Sequence, residues 1–388
     1  MRNLKVYPKR DCTEVIASSC LVSGNARFVK TLLTNQFVKK SLDNGRTTLY
    51  LDFSNGRSYL TESKLSAPEI KELNIDDISY DPFYRCDAKK ALRLILQKAK
   101  SEHYAPEIYS QAIKYILLLE RMDISIKDVR ELNERFQDVN DIPKKMMECR
   151  MNSNMTDKQF HDLMIAFQRS VKGNILIADI LAQLDFYLTN NENNRFSIKM
   201  MDSGIYRIYC NSVYEETTKL FLEGVLNELC TMTSNAIDII INAEKTVLTN
   251  EIIKLVEMLT TNRYNVLFVA DDIYSQYAEA NINQFRNYFD YNVFAQHNGE
   301  SAEKISKLCG TQRIYEHHFN KERNKRLFSE KTLDIIFKRD YSEGIMEVPA
   351  EVPNVHSNYI QNFPEYQALV IHAKQGFQNY RVVDFSNF

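Results

Sequence analysis

The stretch Gly24-Asn25-Ala26-Arg27-Phe28-Val29-Lys30-Thr31 carries the clearest chemical signal in the chain. Against the phosphate-loop pattern G-x-x-x-x-G-K-[ST] it keeps the first Gly, the Lys and the Thr at their spacing, and Val29 stands where the second Gly belongs. In such a loop the free backbone N–H groups and the helix dipole receive phosphate oxygens. The Lys neutralises them, and the Thr hydroxyl faces a magnesium ion. Val29 works against this chemistry. A phosphate nest calls for positive φ, which costs a non-glycine residue roughly 1–2 kcal/mol, and the branched side chain would crowd the oxygens. The plain alternative is an ordinary strand-to-helix turn with a surface Lys.

A working nucleotide site also needs an acid at the end of a buried strand to hold Mg²⁺, often with a Glu beside it to activate water. The strand candidate Ile237 to Ile241 runs into Asn242-Ala243-Glu244. Asn242 is uncharged, and Ala243 has no acid–base capacity. Glu244 comes one residue late, which on a strand means the other face, so it substitutes only if a turn redirects it. Losing a general base typically costs about 10²–10⁴ in rate. Thr31 and Asn242 become metal ligands only if Mg-nucleotide binds. Otherwise no metal site is expected: Glu316-His317-His318 has no second ligand pair, and Asp11-Cys12 is no better. No G-x-S-x-G elbow is present, and Cys210 and Cys230 lie in apolar elements.

These residues need a frame. Val15 to Val22 reads as a buried strand and Phe28 to Lys40 as a helix; Thr47 to Phe53 is a second strand with Asp52 near its end. Strand, helix and strand make a right-handed parallel βαβ unit. An acid such as Asp52, at the sheet's C-terminal edge, is either a nucleotide-site residue or a turn cap. From Ile78 the character changes. Helical spacing recurs after Asp87, over Ile108 to Leu119, over Ile126 to Phe136 and over Asp157 to Val171, the last capped by Thr156 or Asp157. Another helix is expected over Asp179 to Leu188. Strand signals then return at Gly204 to Cys210, Ala236 to Ile241, Val266 to Ala270 (ending at Asp271-Asp272) and Tyr291 to Ala295. Helices fall between them at Glu215 to Thr231, Thr249 to Leu259 and Ala302 to Leu308. Lys321 to Arg326 reads as a solvated helix face. Ala368 to Ile371 and Tyr380 to Val383 form a closing hairpin. The pattern predicts an α/β fold, a doubly wound and mostly parallel sheet over 1–80 and 173–388, with an all-α domain of its own small core inserted over 81–172.

Composition bounds the function. The 49 Lys and Arg against 51 acids leave no general basic field for nucleic acid. The seven cysteines are scattered and never in a C-x-x-C pair, as in a reduced, cytosolic protein. There is no apolar run of about eighteen residues that would span a membrane, and Met1 to Lys5 lacks a signal-peptide core.

The order of parts resembles the soluble motor domain of TraG/TraD-type coupling proteins, the RecA-like, FtsK-related P-loop ATPases of conjugation and type IV secretion. The resemblance runs from about Val15 to the end. It rests on the loop at Gly24, the strand ending in Asp52, and Tyr80-Asp81-Pro82-Phe83 opening a helical insertion. It rests further on Arg263-Tyr264-Asn265-Val266 leading to Ile273-Tyr274-Ser275-Gln276, and on Asn292 to Gly310. The departures are Val29, Asn242-Ala243, and Asp272 in place of a Gln. The resemblance implies catalytic candidates Glu244, Arg263 (acting across a subunit interface) and Gln276, and ATP with Mg²⁺ as cofactor. It implies partners among the secretion subunits, a substrate protein or relaxosome-like complex or DNA, and a homo- or hetero-oligomer. The location it implies is cytoplasmic, at the inner membrane through partners. With its motifs degenerate, the chain is expected to recruit or scaffold, with ATP hydrolysis impaired or absent. An ATP-driven translocase using Glu244 or Asp272 is the first alternative; a binding scaffold that only kept the fold is the second.

Overall fold

Apolar runs without polar alternation become strands buried on both faces, and the sheet they build fixes everything else. The computed structural model describes residues 6–7, 15, 18–54, 59–60, 70–80, 110, 113–114, 141–152, 155–168, 178–179, 182, 195–212, 214–232, 236–244, 249–276, 279–322, 342–373 and 380–386. The first part holds β1 (Val6–Tyr7), β2 (Cys20–Ser23), α1 (Arg27–Asp43), β3 (Thr47–Asp52), β4 (Ile70–Asn74) and β5 (Ser79–Tyr80). Helices α2 (Asp141–Asn152) and α3 (157–168) follow, then β6 (Arg195–Phe196) and β7 (Ile205–Tyr209). Next come α4 (Glu215–Thr231), β8 (Ile237–Asn242), α5 (Asn250–Thr261), β9 (Val266–Ala270), α6 (Ile273–Gln276), α7 (Glu279–Arg286), β10 (Tyr291–Phe294) and α8 (Gly299–Leu308). The chain closes with β11 (Thr311–Glu322), β12 (Ser342–Pro353), α9 (Ser357–Gln361), β13 (Gln367–His372) and β14 (Tyr380–Asp384).

Among the described residues the main sheet has ten strands in the order β1-β14-β13-β10-β2-β9-β8-β3-β7-β4. From β10 to β4 every neighbour is parallel. Only β13 runs against the rest, paired antiparallel with β10 and β14. The fold is therefore α/β with a mostly parallel sheet, as the alternation of elements predicts.

Two apolar layers sandwich that sheet, and strand parity decides which residue enters which. Cys20, Val22, Tyr50, Ile240, Leu267 and Val269 face α1, where Val29, Leu33, Phe37 and Val38 cover them. Their alternates Leu21, Leu49, Leu51, Ile239, Ile241 and Phe268 face α4, α5, α7 and α8. Burial on both sides is why these strands lack polar alternation.

Several expectations change. The strand expected from Val15 is β2 and starts at Cys20, because Ser19 is spent on anchoring: its hydroxyl donates to Tyr264 O (3.1 Å) and its carbonyl accepts from Asp290 N (2.9 Å). Lys321 and Glu322 lie at the end of β11, paired to β12, so the helical reading fails there; 323–326 are outside the described residues. The edge strand β4 and the β11–β12 ribbon were not anticipated. Of the helical insertion, α3 begins with the predicted cap: Thr156 Oγ1 accepts from Gln159 N (3.3 Å), and Gln159 Oε1 accepts from Thr156 N (2.9 Å). Met146, Leu163 and Phe167 belong to the same apolar cluster as α4. The helices expected after Asp87, over 108–119, over 126–136 and over 179–188 fall almost wholly outside the described residues.

Phe268 has no exposed surface, and its ring meets those of Phe285 (5.1 Å) and Phe289 (6.1 Å) edge-on or tilted. Phe268→Ala should cost about 3–5 kcal/mol in urea unfolding, and Phe268→Leu less than about 1.5 kcal/mol. An Ala variant within about 1 kcal/mol of the parent would contradict the packing of this face.

Candidate functional site

Parallel strands deliver their C-terminal residues to one edge of the sheet, and α1 starts there. β8 places Ile240 on the α1 face, so Asn242 and Glu244, each two further, point the same way. By the same count Asp271 follows Val269 of β9, and Asp52 follows Tyr50 of β3. Four side chains read from the sequence thus share the face that α1 covers. The expectation that Glu244 would miss this face is corrected: β8 ends at Asn242, Ala243 continues the alternation, and Glu244 arrives on the side of Lys30.

Lys30 is buried under α1, only 1% exposed. Its ammonium donates to Glu244 Oε1 and to Asp271 Oδ1, both at 2.9 Å. The Tyr59 hydroxyl also donates to Glu244 Oε1, and the Tyr59 ring lies 5.6 Å from the ammonium. Burial alone would push the Glu244 carboxyl up. The hydrogen bond with Asp271, the Lys30 charge and the Tyr59 hydroxyl outweigh it and hold the pKa at about 2. Asp271 moves the other way: burial and the hydrogen bond with Glu244 raise it against the pull of Lys30. Two neighbouring carboxyls have split, one holding the charge and the other inclined to keep a proton.

The phosphate loop itself is replaced by helix. Three residues, Gly24 to Ala26, join β2 to α1, and Lys30 N already bonds to Ala26 O (3.4 Å). Arg27, Phe28 and Val29 therefore form the first turn, with no side-chain cap at Ala26. Val29 is fully buried in the α1 layer, and its φ is not positive, so the strain expected there does not arise. Gly24 keeps the feature that only glycine supplies. Its φ is +126°, its N–H reaches Asp271 O (2.5 Å), and a Cβ would sit 2.8 Å from Gln296 O. Asn25 N bonds Gln296 O at 2.8 Å. The turn is pinned between β9 and β10.

Asp52 does not face Lys30's partners. Arg207 of β7 binds its Oδ2 through Nε (3.0 Å) and a terminal nitrogen (2.5 Å), and Ser54 takes Oδ1 from its N–H and hydroxyl at 3.0 and 2.6 Å. It is a turn cap and an ion-pair partner at once. The Asn242 amide donates towards Tyr50, Asp52 and Ser54 at 3.0–3.2 Å, and its Oδ1 accepts from Glu244 N (3.4 Å). Gln276 donates to Ala243 O at 3.2 Å, beside the site. Thr31 follows Lys30 in α1, where its carbonyl accepts from Asn35. Arg263 is not brought in. It lies before β9, at the opposite edge of the sheet from Asp271, exposed, with φ 61°. There it ends α5 in a Schellman turn: Arg263 N bonds Thr260 O (3.1 Å) and Tyr264 N bonds Leu259 O (3.0 Å). Asp272 accepts from Ser301 Oγ (2.7 Å) and Tyr274 N (3.0 Å).

The residues that hold Mg-nucleotide in a phosphate-loop protein do not fit that role as placed here. The Lys charge is neutralised by Glu244 with Asp271 also bound to it, the cradle is a helical turn, and Asn242 is engaged within the sheet. Among the described residues no group of three or more His, Cys, Asp or Glu could hold a metal, and no helix is long and apolar enough to cross a membrane.

Sequence reasoning missed Tyr59, Arg207 and His297. Arg207 had a signal, a charge inside an apolar strand. Tyr59 had none. His297 is buried, with Nδ1 donating to Ala295 O (2.9 Å) and Nε2 facing Ser23 Oγ (3.0 Å). Burial lowers its pKa, so the ring is neutral and Nε2 accepts. Ser23 is fully buried, so this pair presents no nucleophile.

No family model matches the chain, and no curated protein is similar to it in sequence. Solved structures are similar to it in fold. The bacterial conjugative coupling protein TrwBdeltaN70, in an unbound form, aligns at TM-score 0.50 and 13% identity over 96% of this chain and 86% of that one. The likeness is one of fold, an α/β arrangement on a mostly parallel sheet. Also similar are TrwB in complex with ADP and Mg²⁺ (TM-score 0.47, 14% identity, 100% and 89% covered) and VirB4 of Thermoanaerobacter pseudethanolicus (0.48, 7%, 95% and 89%).

Lys30→Met would leave Glu244 buried beside Asp271 without its cation, and should cost about 3–5 kcal/mol at pH 7. Adding Glu244→Gln should recover most of that loss in chemical denaturation. Glu244 has a depressed folded pKa, so its contribution is full above its ordinary 4.5 and is lost as pH falls towards about 2. Asp271, with its pKa raised, acts in the opposite sense. The gap between parent and Lys30→Met should therefore narrow between pH 4.5 and about 2. A gap that stays constant over that range would break the assignment.

Proposed function

We propose that this chain is a coupling-protein-like component of a conjugation or type IV secretion machine, and that its nucleotide site does not turn over ATP. The observation that carries the second half is the Lys30 ammonium, enclosed by Glu244 and Asp271 beneath a helical turn instead of a phosphate cradle. A triphosphate would meet a Glu244 carboxylate that already matches the lysine's charge, with Asp271 beside it. The fold likeness to a bacterial conjugative coupling protein supports the first half. On this reading the chain recruits or scaffolds. Its partners are other subunits of the machine and a substrate protein or relaxosome-like complex, with DNA a lesser one, and it works within a homo- or hetero-oligomer on the cytoplasmic side. The inserted segment is the surface proposed to meet the substrate.

One observation favours the alternative of an active translocase. Glu244 is ionised and sits beside Lys30, where a general base would stand. The same assay separates the two readings. Phosphate release from ATP and Mg²⁺, with and without single- or double-stranded DNA, should not exceed that of a Lys30→Ala control. Val29→Gly should not restore it, because Val29 is a core residue of α1. A rate of about 1 s⁻¹, ordinary for an enzyme, that disappears in the control would establish the translocase and remove the proposal.

A further inference from the structure

One buried acid lies away from this site and serves no part of it. Between β4 and β7 of the main sheet the chain passes through Tyr80 and Arg195, and these two points are joined: β5 and β6 pair in parallel as a two-stranded sheet of their own, Ser79 with Arg195 and Tyr80 with Phe196. Glu228 of α4 faces this stem and is 1% exposed. Its Oε2 accepts from the Tyr80 hydroxyl (2.7 Å) on the outgoing strand and from the Ile198 N–H (3.1 Å) on the returning side; its Oε1 accepts from the Ser197 hydroxyl. Tyr80 in turn packs edge-on against Phe221 of α4 at 4.8 Å. Burial raises the Glu228 pKa although three donors and Lys199 pull it down. A carboxylate in such a place is costly, and an aliphatic side chain would pack α4 at less cost. What an aliphatic residue could not do is hold three donors from two separate chain segments at once.

We propose that Glu228 is a latch between the α/β sheet and the inserted segment 81–194: it ties the segment's two ends to each other and to α4, so that α2 and α3 ride on the sheet only while the carboxylate is engaged. The apolar contacts of Met146, Leu163 and Phe167 with the α4 cluster then depend on a joint made of three hydrogen bonds. The joint is independent of the fate of the nucleotide site.

Hydrogen exchange by mass spectrometry on the full chain tests this. Glu228→Ala should speed exchange at least tenfold in peptides covering 79–80, 141–168 and 195–201. Peptides covering β8 and β9 should stay within about twofold of the parent. Tyr80→Phe, which removes one hydroxyl and leaves the ring, should give the same regional pattern at smaller amplitude, and decides the matter if the Ala variant does not fold. Equal acceleration of the stem and of β8 and β9 would make Glu228 an undivided part of the core. No acceleration in either variant would show that the three bonds hold nothing. Either result overturns the latch.

Discussion

A lysine ammonium with almost no access to water must be matched by negative charge, and that requirement shapes the centre of this molecule. Lys30 can be buried only because β8 and β9 end in Glu244 and Asp271 on the face covered by α1. Each carboxylate can be buried only because Lys30 is there. The arrangement couples the first helix to two central strands through charge, at the point where the apolar layer of Val29, Leu33 and Val38 gives way to polar strand ends. A second cluster, Arg207 with Asp52 and Glu72, seals the same edge further along the sheet. Asn242 spans the two, donating towards Asp52 and accepting from Glu244 N. The C-terminal edge of this sheet is thus an internally paired polar layer, each cation held by two acids.

The same network explains why the motif departures go together. A phosphate loop keeps its Lys available by holding backbone N–H groups open around an anion. Once the helix extends back to Arg27, those groups become its first turn, and position 29 becomes a core position where Val packs well and Gly would leave a hole. Asn at 242 fits the altered environment too. An Asp there would add a fourth acid to a site already carrying Glu244, Asp271 and Asp52, whereas the amide donates towards Tyr50, Asp52 and Ser54. Each substitution that looks like damage against the motif is compatible with its neighbours.

How much of this was legible follows from which forces are local. The parallel strands announced themselves, because burial on both faces imposes unbroken apolar runs such as Val266–Ala270. Helix α4 was readable to its boundaries. The edge strand β4 was not, because its Lys71 and Glu72 face solvent and the segment has no apolar stripe. Nor was the β11–β12 ribbon, whose sequence alternates too little to mark a strand and whose register sets Lys321 opposite Glu343. In the site, the role of Glu244 was misjudged from an expected Asp-Glu position, although counting on from Ile240 in steps of two would have placed it correctly. Tyr59 was beyond reach: it meets Glu244 across 185 residues, and nothing in its neighbours marks it.

The place of β2 in the sheet has a consequence for how the protein is made. Its hydrogen-bonding neighbours, β9 and β10, are synthesised more than two hundred residues after it. Ser19, at its start, bonds to Tyr264, 245 residues later; at about 5–20 residues per second that stretch takes roughly 12–50 s to emerge. Until β9 and β10 emerge, the apolar underside of α1 has no strand to cover on either flank of β2, and Lys30 lacks first Glu244 and then Asp271. The nascent chain therefore carries an apolar helix face and an unmatched charge for that interval, a state in which exposed apolar surface is prone to aggregate and closure of α1 has to wait for the distant strands.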